Sequence, residues 1–349
     1  MYIIGEPSYA ATNWYKKMIV PLKNQARKKR VQLNVSSDPA DAAGEACAFV
    51  VGGSAAWMTE TVARLQHQNC HPIILNDLPN RSLFGRYSCV RTDYNRFMAL
   101  LATRFGETGK KHTAFYGMNH ASFSDIARKN AFLTCFEDGA VFENDGSLRA
   151  CFDAFYRAHC RDPFDSVICA NDFAAVSLLT HLRALGADTS KICITVHSNT
   201  QILSHFPEIL SVGVDHCALA AAAFEIADCI ASNPWFIGMS VTVDYRPNGE
   251  EGAVGADAVC ALAFEQTDAF YGDAELAELM SIEKLLAECD ETDFKIIRHL
   301  SENCNSIGES TFLSDNGVKY RIKKMKRICN VASKSEIPKL LKKYRVLLN

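Results

Sequence analysis

"FDSVICANDFAAVSLLTHLRALG", residues 164–186, is the stretch whose reading decides the fold class. Its opening, "SVICAND" (166–172), is a short β-branched and apolar run that reads as a strand, and residues 173–185 read as the helix that follows it. The same alternation extends outward in both directions. "MYII" (1–4), "VQLNV" (31–35), "CAFVVGG" (47–53), "HPIIL" (71–75), "HTAFYG" (112–117) and "ICITVHS" (192–198) are further strand candidates. Helical patterns over 58–68, 93–106, 122–135 and 147–160 lie between them. Strand, helix, strand repeated this way predicts an α/β fold of parallel sheets with helices on both faces. Seven such strands exceed one comfortable sheet and predict two similar lobes, with ligands received outside the carboxyl ends of the strands. Pro21, inside the first helical pattern, predicts a break or kink there.

The alternation stops after "MSVTVDYRPNGEEG" (239–252), where Pro247, Asn248 and Gly249 signal a turn. Residues 253–272 read as a connector. In "DAELAELMSIEKLLAE" (273–288) Leu276, Leu279, Met280, Ile282, Leu285 and Leu286 recur at three and four residue spacings, an amphipathic helix that either packs on a neighbour or pairs in a coiled coil. The division expected is 1–252, a two-lobed domain; 253–289, a connector with an amphipathic helix; and 290–349, a purely helical domain.

At 349 residues and 48% hydrophobic content the chain can bury a large core. Its net charge of −3 hides two opposed excesses. Residues 319–349 carry 11 Lys and Arg against the single acid Glu336, while the preceding residues carry 26 against 39. A basic end on an acidic body points to a polyanionic partner, nucleic acid before membrane. The N-terminus lacks the basic and apolar regions of a signal peptide and no segment approaches 18 uncharged apolar residues, so a cytoplasmic protein with no membrane partner is expected. Fourteen Cys without a C-x-x-C pair read as small buried hydrophobes kept reduced, and neither His159 with Cys160 nor His216 with Cys217 has the second pair a metal site needs. No cofactor and no metal are expected.

In the basic end, Phe294, Ile297 and Leu300 supply one helix, and Ser306 with Glu309 spells a capping box for a second. Ser314 then caps a third helix from Asp315 to about Cys329. On it Val318, Ile322, Met325 and Cys329 form an apolar stripe beside Lys319, Lys323, Lys326 and Arg327. "SKSE" (333–336) repeats the capping spelling before a fourth helix with Leu340 and Leu341. That layout is a helix-turn-helix. Residues 290–345 resemble the DNA-binding domain of the LuxR/GerE class, with "FKIIRHL", "SIGESTFLSDNGVKYRIKKM" and "NVASKSEI" in its order. Gly317, Thr311 and Gly308 depart from its usual Thr, Leu and Ala. The resemblance implies that Ser314, Asn316, Gly317, Lys319, Tyr320, Arg321 and Lys323 face double-stranded DNA. A solvated charged helix face is the bland alternative.

A second resemblance covers residues 1–252, which look like the effector-binding core of lactose-repressor (LacI/GalR) regulators with the type I periplasmic-binding-protein fold. It rests on "VRTDYNRFMALLATRF" (90–105), "SFSDIARKNAF" (122–132), residues 164–186, "KICITVHSNT" and "PEILSVGVDHCALAAAAFEIA" in family order. By the resemblance Asp93, Arg128 and Asn171 match the ligand-contacting Asp, Arg and Asn, although Asp93 and Asn171 could equally cap helices. His197, Ser198 and Asn199 stand where the family commonly has an Asp, which puts a sugar ligand in doubt. Tyr9, Asn13, Trp14, Trp57, Asn119, His120 and Asp215 complete the expected ligand-binding rim.

The resemblances imply a cytoplasmic transcription regulator, a homodimer, whose small-molecule effector, a sugar or other polar metabolite, binds between the lobes and controls the C-terminal reader. The first rival is a cytosolic solute-binding module without DNA binding. The second is an enzyme, but no G-x-G-x-x-G follows the first strand and no G-x-S-x-G, Walker A or H-E-x-x-H motif occurs, so catalysis is not expected.

Overall fold

The computed structural model describes residues 1–10, 12–76, 86–197, 200–233, 235–247, 272–302 and 307–346. The expected roles of Ser198, Asn199, Asn248, Gly249 and Ser306, and the connector up to residue 271, lie outside the described residues. Two six-stranded sheets make the front of the molecule. The first contains β1 (Tyr2–Gly5), β2 (Asn34–Ser36), β3 (Cys47–Val51), β4 (His71–Ile74), β5 (Ser88–Thr92) and β11 (Ser240–Val243), all parallel, in the order β11-β5-β4-β3-β1-β2. The second contains β6 (Thr113–Met118), β7 (Ala140–Glu143), β8 (Ser166–Cys169), β9 (Cys193–His197), β10 (Ile209–Val214) and β12 (Tyr245–Pro247), in the order β12-β10-β9-β8-β6-β7, with β12 antiparallel to its neighbour.

Successive strand residues point to opposite faces, and helices cover both faces, which is why these strands read as continuous apolar runs. Ile3, Phe49, Ile73 and Val90 pack in one cluster with α2 (Asn13–Lys29), which follows the single turn α1 (Pro7–Ala10), and with α8 (His216–Ser232); Ile4, Val50, Ile74 and Cys89 pack in another with α3 (Ala55–His67). In the second lobe Tyr116, Cys169 and Val196 join α6 (Leu148–Arg161) and α7 (Asp172–Ala184), and Phe115 and Ile168 join α4 (Tyr94–Glu107) and α5 (Phe123–Cys135). Pro21 sits inside α2 without ending it. The lost bond costs about 3 kcal/mol, and the burial of Tyr15, Ile19 and Leu22 on the sheet, about 2 kcal/mol each, outweighs it.

The chain passes between the lobes at Asp93, entering α4, at Asp215, entering α8, and at Asp244, between β11 and β12. Arg96 pairs with Asp244 at 3.2 Å and so ties two of these crossings together.

Helices follow: α9 (Ala274–Glu288), α10 (Glu291–Ser301), α11 (Ile307–Thr311), α12 (Asp315–Cys329) and α13 (Glu336–Lys343). Leu276, Leu279, Ile282 and Leu285 of α9 are fully buried, each contributing about 2 kcal/mol. Their mixed spacing serves two partners. One apolar cluster runs from Phe152 and Leu178 in the second lobe through α9 to Ile296, Met325, Leu341 and Tyr344. Polar contacts fix α9 on both sides: Asp273 accepts from the Leu148 amide at 2.5 Å, Glu275 meets His181 at 3.0 Å, and Glu278 accepts from the Tyr344 hydroxyl at 2.6 Å. Among the described residues no helix is long and apolar enough to cross a membrane, and the described cysteines are free.

His71, 4% exposed, holds Ser88 Oγ at 2.9 Å, and burial brings its imidazole down to about 4. Burial followed by Lys17 does the same to His216. The unfolded imidazoles bind protons near pH 6.5 while the folded ones wait until about pH 4, so the unfolded state binds more protons in between and stability falls as pH falls. Urea titrations from pH 7 to pH 4 are expected to show a loss of about 2–3 kcal/mol for His71, abolished in His71→Gln. A His71→Gln profile parallel to that of the parent refutes this.

Candidate functional site

A cleft with a cavity volume of about 160 Å³ lies between the lobes at the carboxyl ends of the strands and opens to solvent. Glu6, Tyr9, Trp14, Lys17, Gly52, Gly53, Ser54 and Arg91 line it from the first lobe; Asn119, Ser122, Ser124, Asp125, Arg128, Asn171 and His197 line it from the second, with His216 beside the middle crossing. A side chain at Gly53 would stand 2.9 Å from the Tyr9 ring, so glycine is what lets the tyrosine lie on the backbone.

The polar groups are held in place by short-range bonds. Glu6 accepts from the Gly53 and Ser54 amides at 2.6 and 2.9 Å. Arg128, 9% exposed, donates to Asp125 at 2.7 Å, to Ser124 O and Oγ at 3.1 Å, and to the Ala170 carbonyl. Its guanidinium also lies 5.7 Å from the Tyr94 ring, a cation–π placement. Asp125 accepts from the Asn119 amide at 3.0 Å; burial nevertheless raises its carboxyl, against the lowering pull of Arg128. Burial holds the His197 imidazole well below its ordinary value, and Arg128 and His216 add to the effect, while Tyr94 and Phe97 pack around it with ring centres 5.6 and 5.2 Å away. The Tyr9 hydroxyl is raised by burial.

Of the expected rim, the structure brings Tyr9, Trp14, Asn119, Arg128, Asn171 and His197 to the cleft. Asn13 begins α2 and Ser198 is outside the described residues. Four of the expected residues do not line this cleft. Asp93 and Asp215 cap α4 and α8 through the Arg96 and Ala218 amides at 3.0 and 2.8 Å, because a helix starting at a crossing leaves its first amides without carbonyl partners. Trp57 lies against Gly52 and packs into the first lobe, and His120 turns outward to Asp145 at 2.9 Å. Asn171 does both things: it lines the cleft and accepts from the Ala174 amide at 2.9 Å. Glu6, Lys17, Arg91, Asp125 and His216 were not anticipated. Lys17 was within reach of helical spacing, one turn after Asn13 and Trp14.

Two apolar latches hold the lobes together across the cleft. Phe123, the first residue of α5, is 1% exposed and sits in the first lobe's cluster with Met58 and Ile74. Beside it the Phe123 amide donates to the Gly53 carbonyl at 3.0 Å and the Ala55 amide to Ala121 at 3.4 Å. On the other side Trp14 of the first lobe meets Phe173 of the second, ring centres 5.5 Å apart. Phe123→Ala is expected to cost about 3–5 kcal/mol and to let the lobes part. Small-angle scattering should then give a larger radius of gyration; an unchanged radius sinks the latch.

The second candidate surface is α12. Ser314 accepts from the Gly317 amide at 3.2 Å and starts the helix, as its sequence spelling predicts. Val318, Met325 and Cys329 are buried, whereas Ser314, Asn316, Lys319, Tyr320, Lys323 and Arg327 are exposed along one side. Arg321 departs from this side. Its guanidinium turns back to α10 and bonds Asp290 and Asp293 at 2.9 Å. Gly317 is half-buried with ordinary space around it, but a side chain at Gly308 would stand 2.9 Å from the Leu313 carbonyl, so the turn between α11 and α12 selects glycine there.

No family model and no curated protein sequence matches the chain. Solved structures do match in fold. A putative transcriptional regulator LacI from Bacillus cereus subsp. cytotoxis is 14% identical with a TM-score of 0.60, covering 70% of this chain and 95% of its own. A LacI family transcriptional regulator from Enterococcus faecalis, with bound ribose, is 14% identical at 0.57, covering 70% and 95%. The periplasmic binding protein component of an arabinose transporter from Shewanella sp. ANA-3 is 12% identical at 0.56, covering 71% and 92%. The front is thus a type I periplasmic-binding-protein-like fold, followed by a helical C-terminal region.

Proposed function

We propose that this chain is a ligand-responsive, DNA-binding transcription regulator of the cytoplasm, acting as a homodimer and without catalysis. A small polar metabolite binds between the lobes, and the exposed side of α12 enters the major groove. Lys319, Lys323 and Arg327 meet phosphates, and Asn316 and Tyr320 reach base edges.

One observation carries the reading, a bonded route from cleft to reader. Asn171 lines the cleft, and its neighbour Asp172 accepts from the Thr200 amide at 2.8 Å. The next two amides, Gln201 and Ile202, donate at 3.0 and 2.8 Å to Glu283, a 3% exposed carboxylate on α9. α9 packs directly on α12. A ligand that favours one lobe angle therefore shifts the seat of α9 and, with it, the presentation of α12, by as much as its affinity for the two angles differs.

The test is selection of duplexes from a random library by the full chain, then anisotropy titrations with and without candidate metabolites. A selected site whose affinity changes with ligand supports the reading. Ligand binding without retention of any duplex would leave a solute-binding module, a reading favoured by the periplasmic binding protein that shares the fold.

A further inference from the structure

Beside the cleft, on the second lobe, three side chains that do not line it have the makings of a metal site. His120 follows β6, Glu143 ends β7, and Asp145 stands in the turn that leads to α6. An imidazole nitrogen and two carboxylate oxygens from them all lie within 4.8 Å of one another. Among the described residues no other three His, Cys, Asp or Glu side chains converge in this way. The backbone arranges the convergence. β6 carries a bulge between Tyr116 and Met118, with Gly117 at φ 78°, so that Met118 comes opposite Glu143. A side chain at Gly117 would collide with Ala174, which restricts the position to glycine. The Asn144 amide donates to the Met118 carbonyl at 2.7 Å and holds the two strand exits side by side.

All three keep lone pairs for an ion. One ring nitrogen of His120 meets Asp145 at 2.9 Å, which leaves the other. Glu143 meets the Lys129 ammonium at 2.9 Å through one oxygen, and each carboxylate has about four lone-pair directions. Lys129 shows the polarity of the place, since a positive group already sits on it. A divalent ion would face two carboxylates where the ammonium faces one. The His120 and Asp145 side chains are 64% and 69% exposed, so an ion can reach them from solvent. Metal bonds of about 2.0–2.2 Å ask the ligand atoms to draw together by roughly 1 Å, which exposed side chains achieve by small rotations. The nitrogen decides the class of ion: calcium and magnesium take oxygen ligands, whereas an imidazole with carboxylates suits zinc and cobalt.

We propose that His120, Glu143 and Asp145 bind one divalent transition-metal ion of the zinc and cobalt class, with water completing its coordination and Lys129 released to solvent. The site needs neither effector nor DNA, so it stands or falls apart from the regulator reading.

Cobalt(II) titrated into the full chain tests this. Ligation by nitrogen and oxygen gives only weak visible bands, whereas the exposed Cys160 or Cys217 would add the intense near-ultraviolet charge transfer of a thiolate. One equivalent is expected to bind with weak bands alone and to raise the melting temperature, and zinc to displace it. His120→Ala and Asp145→Asn should each weaken the ion about tenfold or more, while Lys129→Met, which removes the competing ammonium, should tighten it. The control His112→Ala, at the exposed pair of His112 with Asp162, should bind as the parent does. The substituted side chains are at least partly exposed, so melting curves without metal should match that of the parent. No binding, a thiolate spectrum, parent affinity in His120→Ala or Asp145→Asn, weaker binding in Lys129→Met, or equal binding of calcium and magnesium overturns the proposal.

Discussion

Replacing Lys319 and Lys323 together by alanine is expected to weaken binding of any duplex and to flatten its salt dependence by about two in the slope of log K against log salt, since each phosphate that is no longer neutralised lowers the slope by about 0.9. Both side chains are exposed on α12 and neither belongs to the buried stripe, so the melting temperature should stay within the range of surface substitutions, about 0.5 kcal/mol. Arg321→Ala should behave in the opposite way. Its guanidinium serves Asp290 and the 1% exposed Asp293 at 2.9 Å, and Lys324 is the other cation near Asp293, at 3.8 Å. Losing it leaves the buried carboxylate to the more distant Lys324 and the Asp290 amide, at a cost of about 2 kcal/mol once the part exposure of the arginine is allowed for, while the salt slope is unchanged. Anisotropy titrations from 50 to 300 mM salt, with thermal melts on the same samples, separate the two outcomes. A double lysine variant with the parent's slope would remove α12 as the DNA-binding surface.

The second large effect is expected at Glu283. Glu283→Ala leaves the Gln201 and Ile202 amides without their acceptor in a buried setting, at about 1–3 kcal/mol for each. Glu283→Gln keeps one acceptor oxygen but opposes an amide N–H to an amide NH₂, so it should retain the fold with a lower melting temperature. In both variants the ratio of DNA affinities with and without ligand is expected to collapse toward one, while DNA affinity without ligand changes little. Melting curves establish that the protein is folded, and the affinity ratio then reads the coupling. A folded Glu283→Gln protein with the parent's ratio would show that the route through residues 200–202 carries no signal. Burial raises the Glu283 carboxyl. The folded state therefore protonates it more readily than the unfolded one, and its contribution to stability weakens as pH rises through the raised value.

The strand and helix alternation was legible because sheets covered on both faces leave a strong signal: runs such as "CAFVV" and "SVIC" cannot be solvent-facing strands. Strands at 88–92, 140–143, 209–214 and 240–243 escaped: those at 140–143 and 240–243 are only partly buried, while at 88–92 and 209–214 polar Ser, Arg, Thr or Gly residues interrupt the apolar run. The cap-forming residues show a different limit. Asp93 and Asp215 have the chemistry of ligand contacts and of helix caps, and only the place of each crossing decides between them. Trp57 and Phe123 show a third. The sequence says both are apolar, but not that one lobe's helix inserts its first residue into the other lobe's core. For Arg321, spacing along α12 allowed either the open side or the α10 side, and the acids at 290 and 293 decide it from outside the helix.

The apolar cluster that joins Phe152 and Leu178 to Met325 and Tyr344 through α9 bears on how such a chain can be rebuilt. A reader domain attached by a loose tether can be swapped for another like a cassette. Here the seam would cut through side chains that have no water-facing alternative, so a graft of the terminal helices onto a foreign sensor must bring α9 and the surface of α6 and α7 with it. Chimaeras joined before Asp273 within this fold should express well only when both halves of that seam come from the same parent.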